Sequence, residues 1–157
     1  MSFKSGFVTI IGNPNVGKSS LFNAILNFEL SVVTHKSQTT RDSIKGILTT
    51  ENFQIVLSDT PGHVESSYLL HDKMNKNIFS SLEGSDIILY VTDVKEKVVN
   101  QKLIDAVINL KIPIIYLVNK SDLDKNYKLL KNDIYNDMFL FSSNDKDDVD
   151  KILSKIV

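Results

Sequence analysis

The sequence predicts an α/β domain, a three-layer sandwich in which a mostly parallel sheet of about six strands carries helices on both faces. Three observations predict it. Short apolar runs alternate with longer amphipathic stretches, the pattern of strands joined by crossover helices. The 157 residues suit one domain with a single substantial core. A glycine-rich loop, Gly12 to Ser19, stands between the first apolar run and the first amphipathic stretch.

The elements follow in order. Phe7 to Ile11 reads as a buried strand, and Ser19 to Asn27 as a helix, with Leu21, Phe22, Ile25 and Leu26 at helical spacing. Ile44 to Glu51 and Phe53 to Leu57 read as two strands, and polar Thr49 to Asn52 as the hairpin turn between them. Tyr68 to Leu82 is expected to be a helix, Asp86 to Val91 a strand and Gln101 to Leu110 a helix. Ile112 to Val118 is the next strand, with Pro113 near its start. A short helix over Tyr127 to Tyr135, a short strand over Met138 to Phe141 and a helix over Asp147 to Val157 close the chain. The acidic stretch Asp145 to Asp150 reads as the solvated start of that last helix, where carboxylates suit the positive end of the dipole.

Composition excludes several classes of function. Hydrophobic residues make up 42% and charged residues 24%, ordinary for a globular protein. The net charge of −1 gives no overall attraction for nucleic acid. DNA is therefore not an expected partner, and RNA contact would need a local patch or a further domain. The absence of cysteine rules out disulfides, Cys-ligated zinc and thiol catalysis, and it fits a cytoplasmic location. The apolar run within Met1 to Ile11 is too short for a signal peptide or a membrane span, so membrane association is not indicated. Arg41 is the only arginine.

Gly12-Asn13-Pro14-Asn15-Val16-Gly17-Lys18-Ser19 fits G-x-x-x-x-G-K-S/T in full, after a strand and before a helix. The mechanism needs that context. Glycines let the backbone turn its N–H groups toward phosphate oxygens, and the helix N-terminus adds positive potential. Lys18 would reach the β- and γ-phosphates and Ser19 would ligate Mg²⁺, with Ser20 extending the lining. The fold expected is therefore that of a P-loop NTPase. The motif says nucleoside triphosphate; it does not say which base.

Asp59-Thr60-Pro61-Gly62 ends the strand Phe53 to Leu57. A carboxylate there, facing the phosphate loop, can hold magnesium through water, and Gly62 can bring an N–H to the γ-phosphate. The same four residues also make an ordinary turn; their place downstream of a phosphate loop favours the nucleotide reading. Between them, Ser31 to Asp42 is polar and contains Gln38-Thr39-Thr40-Arg41. A threonine there could complete the magnesium shell with a triphosphate bound and release it afterwards. For Arg41, contact with phosphate or a partner and an exposed salt bridge both stay open.

Asn119-Lys120-Ser121-Asp122 follows the apolar run Ile114 to Val118. A carboxylate can accept from both N1–H and the 2-amino group of guanine, a donor pair that adenine lacks, so Asp122 would discriminate between the bases. Asn119 would brace the loop and the Lys120 stem would cover the base. Phe141-Ser142-Ser143 supplies a weaker element: backbone N–H groups of Ser142 and Ser143 could reach the guanine carbonyl oxygen, or the segment could be a plain strand end.

Together these residues resemble the Era family of bacterial GTPases over essentially the whole chain, 1–157, read as one G domain of that type. The pieces that carry the resemblance are Ser5 to Val8, Gly12 to Leu21, Ser31 to Arg41, Asp59 to Gly62 and Asn119 to Leu123, with Asp148 to Ile152 fixing the register of Ser142 and Ser143. The resemblance implies GTP hydrolysis to GDP with Mg²⁺, coupled to assembly of the small ribosomal subunit on its rRNA. It implies that Thr40 is the magnesium-sensing threonine. In the wider class, an asparagine at the position of Asn15 goes with potassium-assisted hydrolysis.

The chain departs from the family in two ways. The family carries a KH RNA-binding domain after the GTPase domain, whereas this sequence ends at Val157 and has no GXXG loop of KH type. The chain is expected to be either a piece of a longer protein or a form that has lost that domain. Tyr127 to Tyr135 is also shorter than the family's helix there. Secondly, His63 stands where the family usually has an apolar residue. Some translation GTPases have a histidine there that orients the attacking water, so His63 either positions water or is an exposed loop residue. Lys18, Thr40, Gly62 and His63 are thus the residues expected closest to the chemistry.

Three other readings compete. A small-molecule P-loop kinase would need an acceptor site and a lid that is often Arg-rich. A nucleotide-binding module with little turnover would fit loss of the RNA-binding domain. A tRNA-modification G domain shares Thr39 to Asp42, although Gln38 and Pro61 favour the Era type. The expected chemistry is in-line attack of water on the γ-phosphate, driven by positioning and electrostatics. Intrinsic turnover is expected far below ~1 s⁻¹, because no clear motif supplies an arginine in cis. The protein is expected to be a monomer.

Overall fold

Alternation along Lys4–Ile11, the first strand (β1), sets the layers. Val8 and Ile10 point into one apolar cluster and Ile11 into another on the opposite face. Both faces of a strand are buried only if the sheet is covered on both sides. The computed structural model describes residues 3–27, 44–59, 82, 84–95, 101–124 and 138–157.

After β1 come α1 (Lys18–Leu26), β2 (Ile44–Thr49), β3 (Phe53–Asp59), β4 (Ile87–Asp93), α2 (Gln101–Ile108) and β5 (Ile114–Asn119). A 3₁₀ turn (Ser121–Leu123), β6 (Phe139–Leu140) and α3 (Lys146–Ile156) complete the described elements. The six strands lie in the order β2-β3-β1-β4-β5-β6. β2 runs antiparallel to β3 and every other pair is parallel. β1 is interior, with β3 on one side and β4 on the other, so the strand order reverses beside it. Ligands of open α/β sheets bind outside the carboxyl ends of the strands at such a point.

One face of the sheet is covered by α1 and α3. Leu21, Phe22, Ile25 and Leu26 pack with Val149, Ile152 and Leu153 over Val8, Ile10, Leu57, Leu89 and Leu117. The other face carries Ile104 and Val107 of α2, together with Leu82, over Ile11, Ile88 and Tyr90. The architecture is the expected three-layer sandwich. Among the described residues no helix is long and apolar enough to cross a membrane.

Element ends differ from the sequence reading for local reasons. β1 starts at Lys4 rather than Phe7 because the parallel ladder with β3 runs from Lys4 opposite Phe53. The β2–β3 turn closes at Thr50, whose hydroxyl accepts from the Phe53 N–H at 3.1 Å, so Glu51 belongs to the turn. β3 continues to Asp59, which pairs with Ile44 and Ile10. α2 ends at Ile108, where Leu110 and Lys111 close 3₁₀-type bonds to Val107 and Ile108 and Lys111 turns left-handed at φ 57°. Pro113 keeps β5 from starting earlier, since it offers no N–H; its carbonyl accepts from Ile88 at 2.9 Å. α3 begins at Lys146, capped by Asp145, which accepts from the Asp147 N–H at 2.9 Å. The helices expected over Tyr68 to Leu82 and Tyr127 to Tyr135 lie outside the described residues, except for helical Leu82.

Ile25 has no exposed surface and fills the space between α1, α3 and the sheet. Truncating Ile25→Ala should cost about 2–5 kcal/mol of stability. Urea unfolding should show a lower midpoint at an unchanged slope.

Candidate functional site

Four strand ends meet at one edge of the sheet. Gly12 follows β1, and Asp59, Asp93 and Asn119 are the last residues of β3, β4 and β5. The parallel register sets Asp59 level with Ile10 and Asp93 level with Asn119. Asp59, Asp93 and Asn119 are all buried.

The phosphate loop has the backbone its glycines permit. Gly12 stands at φ 146° and a Cβ there would meet the Val91 carbonyl oxygen at 2.0 Å. Gly17, at φ 96°, caps α1, and its Cβ would meet Asn119 Nδ2 at 2.1 Å. Neither position admits a side chain. Asn15 is left-handed at φ 65°, a region asparagine tolerates better than most residues. Val16 is buried in the first apolar cluster and pins the loop to the core. No side chain caps α1, so its first amides suit an anion. Lys18 is buried, and its Nζ donates to the Asn13 carbonyl oxygen at 2.6 Å, which folds the ammonium back over the loop. Pro14, Asn15, Ser19 and Ser20 are exposed along the rim.

Ser19 and Asp59 form the site's hard-oxygen pair. Ser19 Oγ donates to Asp59 Oδ2 at 2.8 Å, while Asp59 Oδ1 is buried without a hydrogen-bond partner. Burial pushes the Asp59 pKa above its ordinary 3.8, opposed by the Ser19 hydrogen bond and the Lys18 charge. An orphaned buried carboxylate oxygen beside a hydroxyl is the donor chemistry Mg²⁺ selects. The residues present therefore fit a magnesium ion bound together with phosphate.

The Asn119 to Asp122 segment is tied to the phosphate loop by two side chains. Asn119 Nδ2 donates to the Val16 carbonyl at 3.0 Å, and its Oδ1 accepts from the N–H groups of Lys120 at 2.7 Å and Ser143 at 3.1 Å. The bracing expected of Asn119 is thus present. Lys120 is left-handed at φ 65°, and its Nζ donates to the Asn15 carbonyl at 2.8 Å and pairs with Asp93. Asp122 is exposed, with Oδ1 fixed by the Ser142 hydroxyl at 2.9 Å. With Ser121, Leu140, Ser142 and Asn144 to Lys146 it lines an open cavity of about 630 Å³.

Ser142 and Ser143 follow β6. Their backbone N–H groups donate within the protein, Ser142 to Asp148 Oδ2 at 3.0 Å and Ser143 to Asn119 Oδ1 at 3.1 Å. The Ser142 hydroxyl also donates to Asp122. Two residues were missed by sequence reasoning. Asp148 lies in the acidic start of α3 and holds the Ser142 amide. Asp93 holds Lys120; its signal was a carboxylate closing a buried strand, as Asp59 does. Thr40, Arg41, Thr60, Pro61, Gly62 and His63 lie outside the described residues.

A family model described as 50S ribosome-binding GTPase matches residues 7–120. The chain belongs to this GTPase family. Within it, the likeness is to Era. GTPase Era of Clostridium acetobutylicum is 41% identical over 99% of this chain and 55% of its own length. A crystal structure of Era in complex with MgGDPNP and nucleotides 1506–1542 of 16S ribosomal RNA superposes with a TM-score of 0.80. It is 30% identical and covers 98% of this chain, which spans 56% of that one. A single-substitution variant of Aquifex aeolicus Era bound to GDP·AlF4⁻ gives 0.78 at 29% identity, over 98% of this chain and 56% of its own. The chain thus spans about half the length of these relatives.

The Asp59 shift predicts a pH dependence. The fold favours the protonated carboxyl, so this contribution to stability is full at low pH and is lost as pH rises through the raised pKa. Without nucleotide or magnesium, Asp59→Asn should therefore melt above the native protein at neutral pH. The gap should narrow as pH falls through that raised pKa. Thermal melts of both proteins across that range check the sign.

Proposed function

We propose that this chain is a G domain spanning residues 1–157 that binds GTP and hydrolyses it slowly to GDP as a magnesium-dependent switch. The observation that carries the reading is the docking of the Asn119 to Asp122 segment onto the phosphate loop through Asn119–Val16 and Lys120–Asn15. It sets a base-reading carboxylate at a fixed remove from a phosphate cradle. Membership of a GTPase family supports it.

The roles follow from chemistry. Gly12 to Ser20 surround the phosphates, with Lys18 Nζ and the first amides of α1 stabilising charge that develops on the γ-phosphoryl group. Asp122 accepts from N1–H and the 2-amino group of guanine, Ser142 keeps its carboxylate in that plane, and the Lys120 stem covers the ring. Ser19 and Asp59 would hold Mg²⁺, which when bound neutralises β- and γ-phosphate charge. On the sequence alone, Thr40 joins that shell, Thr60 to Gly62 bring an amide to the γ-phosphate and His63 orients the attacking water. Potassium, placed by Asn15, is a candidate further activator.

The Era likeness supports a ribosomal role in the cytoplasm, because one Era structure holds 16S rRNA nucleotides. The proposed partner is the small ribosomal subunit. The family description names the 50S particle, so both subunits belong in the test.

Two measurements check this reading. Excess ADP should leave bound fluorescent GDP in place while GDP displaces it. Asp122→Asn should weaken GDP by about a hundredfold or more, because an amide NH₂ faces the guanine donors, and should gain xanthosine diphosphate, whose 2-oxo group accepts. Equal competition by ADP would make the chain a different kind of P-loop protein. Separately, the chain should co-sediment with small subunits in the presence of a non-hydrolysable GTP analogue and not with GDP. Sedimentation with large subunits alone would reassign the partner.

A further inference from the structure

Resting on the guanine-nucleotide reading, we propose that Asp93 is a positioning residue for the nucleotide, acting through Lys120. Asp93 ends β4 directly across the ladder from Asn119 and is only 6% exposed. Its Oδ1 accepts from the Lys95 N–H at 2.9 Å, which fixes the carboxylate plane. Its Oδ2 meets Lys120 Nζ. The same ammonium donates to the Asn15 carbonyl at 2.8 Å. One cation thus joins three segments: the end of β4, the base-reading segment after β5 and the left-handed turn of the phosphate loop.

The geometry needs an anchor. Lys120 has a left-handed backbone, which a residue with a Cβ adopts at a cost, and its side chain keeps many rotamers in water. An exposed ion pair would do little to hold it. This one has a buried carboxylate as its fixed end, with 9% side-chain exposure for Asp93 and 30% for Lys120. The aliphatic stem is thereby held stretched from the end of β5 to the phosphate loop, in place to close over a base before the base arrives. Such preorganisation lengthens residence time more than it speeds capture. Asp93 reads no base atom itself, so its effect should be indifferent to the guanine 2-amino group.

Stopped-flow release of fluorescent GDP and IDP tests this. Asp93→Asn should speed release about tenfold for both nucleotides alike, with association little changed. In the Lys120→Ala background the same substitution should add less than about twofold. Asp93→Glu, which keeps the charge, should lie between native and Asn. Unchanged GDP release in Asp93→Asn overturns the proposal. So does a full tenfold effect on top of Lys120→Ala, because Asp93 would then act elsewhere. If Asp93→Asn does not fold, the Glu variant carries the same cycle: faster release that vanishes in the Lys120→Ala background supports the proposal, and additivity overturns it. A native protein that binds neither GDP nor GTP would remove the functional reading and this inference together. Guanine-selective binding with insensitive Asp93 variants would remove the inference alone.

Discussion

Asn119 is 1% exposed, and its carboxamide works at both ends inside the protein, donating to Val16 and accepting from Lys120 and Ser143. Those three partners belong to the phosphate loop, the segment after β5 and the segment after β6. A buried amide left unsatisfied would cost about 1–3 kcal/mol, so the three segments hold one another in place. Gly17 completes the arrangement, because a Cβ there would collide with Asn119 Nδ2. The glycine of the phosphate motif serves the fold here as much as it serves a phosphate.

Around that contact the site is electrostatically unfinished, and in a directed way. Lys18 is folded onto the Asn13 carbonyl, while Asp59 keeps one buried oxygen without a partner. An orphaned buried carboxylate oxygen is costly in a protein considered alone. It is relieved by a hard cation, and the α1 amides beside it suit an anion. A stable core makes such local costs bearable. Both faces of β4 and of the C-terminal half of β1 are buried against apolar side chains, so the strand ends can carry charge without loosening the sheet.

The two halves of the site were legible in the sequence to different degrees. The phosphate loop was readable because its constraints fall on residue type: glycines at two of its three positive-φ positions and asparagine at the third, a lysine and a hydroxyl at fixed spacing. The Asn119 to Asp122 segment was readable as a type of chemistry. The partners of the Ser142 and Ser143 N–H groups were not legible, because the fate of a backbone N–H depends on which acceptor the fold brings near it. Asp148 and Asn119 supply those acceptors, and nothing local in Phe141-Ser142-Ser143 announces them. Asp93 went unread for the same reason: its partner is 27 residues away.

The sequence by itself determined the layer order and the chemistry class. Near-continuous apolar runs dictate which strands are buried on both faces, and the φ of Gly12 and Gly17 leaves no room for a side chain; both are local rules that leave a mark on residue type. Only the tertiary structure decided which polar groups find each other across the strand ends. The Asp93–Lys120–Asn15 junction, the Ser142 hold on Asp122 and the lone oxygen of Asp59 all arise between residues distant along the chain. Hydrogen bonds act over a few ångströms in space, and the parallel register of the sheet is what brings those residues within that range.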